Sequence, residues 1–236
     1  ARAAIPALVG VLRADTTLLH PMAAVALSRI GATAVPALTA LLRDKPAPGR
    51  AGAALALGMM GPAARDATAA LGDALGDKET LVRGMAASAL GQIGPPARGT
   101  LPALRKALTD RDGGVRVEAS EALWKVSGEA KEAVPVLVEA LKDRQEQVRG
   151  QAAVALGHMG PRAGEAAPAL AAALRTATGL TRVQLAEALR QVDRGQGKAA
   201  FSALRLALGE KDPVVRRAAV YTLDQSAADA GAVPLL

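Results

Sequence analysis

Catalysis needs reactive side chains brought within a few ångströms of one another, and this chain offers few of them. Its 236 residues include two histidines, His20 and His158, no cysteine, and one each of Trp, Tyr and Phe. Without cysteine there is no disulfide framework and no thiolate metal site. The histidines stand far apart in the chain, and neither is followed by Glu. His158 therefore reads as a surface residue. Glu118 and Glu121 are three residues apart, so on a helix they share a face and could act as acid and base. Standing alone, they read better as solvated acids. There is no Gly-x-Gly-x-x-Gly after a strand, no phosphate loop and no serine nucleophile elbow. The expectation is a non-enzymatic protein with no catalytic, cofactor-binding or metal residues.

What the chain repeats is arginine. Arg50, Arg83, Arg116, Arg149, Arg182 and Arg216 each precede by seven residues a leucine, Leu57, Leu90, Leu123, Leu156, Leu189 or Leu223; His20 stands in the same place before Leu27. The steps between these leucines are 30, 33, 33, 33, 33 and 34 residues. A fixed period near that length is the signature of a repeat solenoid. Six positions before the arginines stand Asp44, Asp77, Asp110, Asp143 and Glu210, with Thr176 as the exception. A planar guanidinium can hold a carboxylate and loop carbonyls together. Residues that recur with the period belong to the array's own ladder rather than to a partner-specific site. The ladder also absorbs part of the net charge of +7.

The elements that carry this ladder are two helices per repeat. Helix A opens Pro-x-Leu and places a second Leu four residues on, as in Pro36 to Leu42 or Pro135 to Leu141; the leucines form one helical stripe, and Pro suits the first turn. Helix B carries the arginine near its start and stops at Gly31, Gly61, Gly94 or Gly160. The sixth repeat lacks that glycine. Repeats are expected over residues 1–32, 33–65, 66–98, 99–131, 132–164, 165–198 and 199–231, with the start of another at 232–236. This makes one continuous array, read as a fragment of a longer array or larger protein. Arg, Asp, Gly or Pro interrupt the apolar segments, so no membrane span is expected.

The pattern Asp, five residues, Arg-x-x-Ala-Ala-x-Ala-Leu-Gly-x-Ile-Gly, then Ala-x-Pro-x-Leu, resembles the short bacterial HEAT-like repeats of the phycobilin-lyase type. The resemblance spans essentially the whole chain. It implies an all-α, right-handed α-solenoid, a superhelix of about seven two-helix repeats, with A helices outside and B helices lining the concave side. It also implies that the repeated Asp and Arg join neighbouring repeats. The same repeat type serves scaffolds, adaptors and a few enzymes, among them lyases and DNA glycosylases.

Counting helix B from its arginine as zero separates core from surface. Position +3 is Ala with one exception, +7 is Leu throughout, and +10 is Ile, Met or Val until Ser226. Positions +2, +5 and +9 share another face and vary freely, which marks the side turned toward a partner. That candidate concave face comprises Met22, Val25, Arg29, Leu55, Met59, Met85, Ser88, Gln92, Glu118, Glu121, Trp124, Lys125, Gln151, Val154, His158, Gln184, Glu187, Gln191, Tyr221 and Gln225. Its first half is rich in Met and Leu, a composition suited to adaptable protein or peptide binding. Its second half mixes charges. Trp124 stands at +8, where small residues are usual, and reads as either a packed plug or a binding hot spot. The expected partner is a protein, a peptide or another domain of the parent chain. Nucleic acid is the rival, gripped by turn cations such as Lys45, Lys78, Lys106, Arg111, Lys142 and Arg144; the near absence of stacking aromatics weighs against it.

Overall fold

The structure, a computed structural model, describes residues 2–14, 17–44 and 46–229, without the side chains of Thr17 and residues 226–229. The start of a further repeat at 232–236, the turn cation Lys45 and the Ser226 side chain lie outside the described residues.

All regular structure among the described residues is helical. Seven A/B pairs follow one another: α1 (Ile5–Arg13) and α2 (His20–Ile30), α3 (Val35–Leu41) and α4 (Ala47–Met60), α5 (Thr68–Ala74) and α6 (Thr80–Ile93), α7 (Leu101–Ala107) and α8 (Gly113–Ser127), α9 (Ala133–Ala140) and α10 (Glu146–Met159), α11 (Ala167–Leu174) and α12 (Gly179–Val192), α13 (Gly197–Leu208) and α14 (Pro213–Asp229). Odd helices are the A helices and even ones the B helices. The fold is an all-α solenoid of stacked two-helix repeats. Its residues form two compact units, Ala1–Glu129 and Ala130–Leu236.

In the first unit the B helices stack α2 on α4, α4 on α6 and α6 on α8, each backed by its own A helix. Ala53, Ala86 and Ala119 at +3 and Leu57, Leu90 and Leu123 at +7 are buried, as are Leu38, Leu71 and Leu104 of the A helices. Positions +4 and +6 are buried too: Ala54, Ala56, Ala87, Ala89 and Ala122 fill the seam between neighbouring B helices. Only small side chains fit there. A Cβ added at Gly58 would sit 3.1 Å from the Ala89 Cα, and one at Gly91 would sit 3.1 Å from the Ala122 Cα. Position +8 is therefore where one B helix touches the next.

The second unit repeats the scheme. Helix α10 stacks on α12 and α12 on α14, over a core containing Leu137, Leu156, Leu170, Leu189 and Leu204. Gly157 meets the Ala188 Cα in the same close approach.

The B helices end on glycine for a conformational reason. Gly31, Gly61, Gly94 and Gly160 have φ between 55° and 78° with ψ between −136° and −152°, a region that side chains disfavour strongly. The fourth B helix also stops on glycine, Gly128, one residue later in register and left-handed at φ 83°. The sixth ends at Asp193 in extended backbone instead.

The 22-residue helical stretch His20–Leu41 is long and apolar enough to cross a membrane by length and composition, with Arg29 its one formal charge. The chain nevertheless turns at Gly31, where φ is 78°. The stretch is therefore two helices, each packed on α4.

Candidate functional site

The ladder arginines are positioned by the first turn of helix B, which aims each guanidinium back at the A–B turn. Arg83 shows the full set. Its Nη1 donates to the carbonyls of Asp77 (3.0 Å) and Lys78 (3.2 Å), while Nε and Nη2 donate to both carboxylate oxygens of Asp110 at 2.7 and 2.9 Å. The acid six positions back thus supplies a carbonyl, and the carboxylate comes from the following repeat. Arg50 does the same with the Asp44 carbonyl and the Asp77 carboxylate, and Arg182 reaches Glu210 at 2.8 Å. Arg116, Arg149 and Arg216 bond the carbonyls of Asp110, Asp143 and Glu210. His20 fills the place in the first repeat, its Nε2 3.0 Å from the Ala14 carbonyl. Asp44 accepts from Arg13 of α1 at 2.7 Å, a partner outside the periodic set.

Three of the ladder aspartates also shape their turns. Asp77, Asp110 and Asp143 accept the backbone N–H two residues on, at 2.9 Å. Burial by itself pushes the carboxyls of Asp77 and Asp110 up. The guanidinium, that backbone N–H and nearby positive charge outweigh it, and both carboxyls lie below the ordinary range.

The variable B-helix positions split by unit. In the first, Met22, Arg29, Met59 and Gln92 are exposed, while Val25, Leu55, Met85 and Ser88 are half-buried. Leu55, Met59, Met85, Ser88 and Gln92 come together with Met60 around a groove of about 440 Å³ between α4 and α6. On α8, Glu118, Glu121, Trp124 and Lys125 are all half-buried. Lys125 pairs with Glu121 at 2.7 Å. Ser88 of α6 faces Glu118, whose carboxyl is pushed up, first by burial and then by Glu121. The Trp124 indole N–H is buried without a hydrogen-bond partner.

In the second unit His158, Tyr221 and Gln225 are exposed, and Gln151, Val154, Gln184, Glu187 and Gln191 are half-buried. Val154, His158, Gln184, Glu187, Gln191 and Tyr221 line a hollow of about 250 Å³ between α10, α12 and α14. Much of its polar lining already has packing work. The Gln184 and Gln191 amides fill the notches left by Gly150 and Gly157. Glu187 accepts from Arg190 at 2.7 Å and from Gln191 at 2.6 Å.

Sequence reasoning missed position −2, one turn before +2. Leu18, Leu81, Leu180 and Val214 occupy it and are exposed, and Leu180 lines the second hollow. The apolar recurrence was the available signal. Along the A–B turns of the first unit, Lys78, Lys106 and Arg111 line a separate groove of about 700 Å³ with Asp73, Asp77 and Asp110. Among the described residues no three of His, Asp and Glu are grouped so as to hold a metal ion.

A family model described as HEAT repeats matches residues 36–124 and again 101–190. Among curated proteins none matches. Solved structures with the same fold include the karyopherin Kap121p bound to the extreme C-terminus of the protein phosphatase Cdc14p, 16% identical at a TM-score of 0.67. That match covers 92% of this chain and 26% of Kap121p, so the chain spans about a quarter of that relative. The complex of CpcE and CpcF of phycocyanin lyase from Nostoc sp. PCC7120 is 24% identical at a TM-score of 0.53, over 65% of this chain and 98% of that one. An engineered protein is 24% identical at 0.51, over 93% and 67%.

Proposed function

The chain belongs to the HEAT-repeat family, and from that premise we propose that it is a non-catalytic scaffold that binds a protein or peptide on the variable face of its B helices. The observation that carries the reading is the groove between α4 and α6. Leu55, Met59, Met60 and Met85 line it, and Met22 and Met59 stand 69% and 49% exposed beside a core of alanine and leucine. Flexible thioethers on an open apolar face adapt to varied side chains. Related solenoids support partners of this kind: Kap121p is seen bound to the C-terminus of Cdc14p, and CpcE and CpcF form a complex. A partner could also be another domain of the parent protein.

Selection of displayed random peptides on the immobilised chain tests the reading. Enriched peptides should carry apolar anchors. The triple variant Leu55→Asp, Met59→Asp, Trp124→Ala should weaken them by about tenfold or more, roughly 1.4 kcal/mol. Binding left intact by that variant sinks the proposal. Anisotropy with labelled DNA and RNA at two salt concentrations tests the rival. Tight binding that falls steeply with salt would move the function to the turn cations around Lys78, Lys106 and Arg111.

A further inference from the structure

The apolar groove of the first unit leads directly into an acidic spot. Ser88 of α6 lines the groove and faces the half-buried Glu118 of α8. Glu121 lies one turn along the same helix, and Lys125 closes on Glu121 at 2.7 Å. Two half-buried carboxylates thus stand on one helix face, with Lys125 paired to Glu121, beside side chains of Leu and Met. We infer that the groove takes a peptide in which an apolar anchor is followed by a lysine or arginine, the anchor between α4 and α6 and the cation on Glu118. This rests on the reading of the B-helix face as a protein-binding surface, and it names the partner's chemistry.

Charge complementarity selects that occupant. A carboxylate drawn partly out of water is costly unless it is paired. Lys125 is committed to Glu121, so an incoming cation finds an acid with more to gain than a fully solvated one. The chain as a whole carries a charge of +7, which repels basic partners at long range; attraction must therefore come from close contact at Glu118. An acidic or purely apolar peptide would leave the Glu118 carboxylate desolvated without compensation. Spacing follows from the stack. Packed helices lie about 8–10 Å apart, and an extended chain advances about 3.3 Å per residue. Anchor and cation should stand about three residues apart in an extended peptide.

The test uses displayed peptides with one fixed leucine and randomised flanks, selected on the whole chain and on Glu118→Gln and Leu55→Asp variants. Glutamine has nearly the size and shape of glutamate, so the first variant keeps its fold. Lysine or arginine should be enriched about three residues from the leucine on the parent chain and not on Glu118→Gln, with the apolar preference kept. A synthetic lysine-bearing peptide should lose about tenfold in affinity to Glu118→Gln, and its glutamine counterpart should bind both proteins alike. Apolar enrichment without a basic position would overturn the inference and leave the scaffold reading standing. Peptides indifferent to Leu55→Asp would overturn both.

Discussion

Arg83 is 5% exposed and makes a two-pronged bond to Asp110, whereas Arg43 meets Asp73 at 3.4 Å with both side chains at least 70% exposed. The same ion-pair chemistry should therefore differ sharply in worth. Truncating one partner of a buried pair strands the other, and Arg83→Ala should cost about 3 kcal/mol in denaturant unfolding. Arg43→Ala should cost under about 1 kcal/mol. The pH dependence has a definite sign. Asp77 and Asp110 titrate below the ordinary range in the fold, so their stabilisation is complete above the unfolded-state value of about 4 and is lost as pH falls through the folded-state value. The stability gap between the parent chain and Asp110→Asn should close in acid. Glu118 runs the other way, since its carboxyl is raised. Its ionisation opposes folding above the folded-state value. Glu118→Gln should raise the unfolding midpoint at neutral pH and lose that advantage below about pH 4; a midpoint that drops at neutral pH would contradict this. The arginine row is legible in the sequence because it recurs every repeat. Which acid supplies the carboxylate is not, because spacing of six points within the repeat while the bond to Asp110 spans 27 residues.

Glycine has two separate duties at the level of the helix, and substitution separates them. At Gly94, with φ +72° and no atom within 4 Å of an added Cβ, only backbone conformation is at stake. Gly94→Ala should cost about 1–3 kcal/mol, and Gly94→Leu no more than that. At Gly91 the backbone is ordinary helix and the obstacle is the Ala122 Cα at 3.1 Å. Gly91→Ala should cost about 1–3 kcal/mol, and Gly91→Leu clearly more, because a packed backbone cannot step aside as a flexible side chain can. Thermal unfolding of the four variants decides; equal costs for alanine and leucine at 91 would remove the seam argument. Helix order, the stop glycines and the buried +3 and +7 positions are readable from period and residue type. The seam at +4, +6 and +8 is not so plain, because alanine and glycine signal helix propensity as readily as close contact. The exposed leucines at −2 escape for a related reason: a pattern counted from the arginine forward leaves out the turn before it.

The period describes a single array from end to end, yet the chain forms two compact units that meet in sequence at Glu129 and Ala130. Nothing in the 33-residue spacing marks that point. Side-chain size at +8 changes close to it, although Arg190 puts an equally long side chain at +8 of α12 inside the second unit. Gly58, Gly91 and Gly157 hold position +8, where the backbone of the next B helix comes within 3.2 Å of an added Cβ. In α8 that position is Trp124, five residues before the boundary, and the stop glycine is displaced to Gly128. Repeat proteins fold through nearest-neighbour interfaces, and a compact unit with its own core can fold as its own cooperative block. The first unit has its own stack of four B helices with A helices behind them, and its buried side chains, Leu27, Leu57, Leu90 and Leu123 among them, form one hydrophobic cluster. A fragment of residues 1–129 should therefore be helical and unfold in one cooperative step. The whole chain should unfold in two steps, one of them at the denaturant concentration that unfolds the fragment. Circular dichroism during a urea titration reads both. A single transition in the whole chain, together with an unfolded fragment, would mean that the period governs cooperativity as well as architecture and that Trp124 is accommodated without interrupting it.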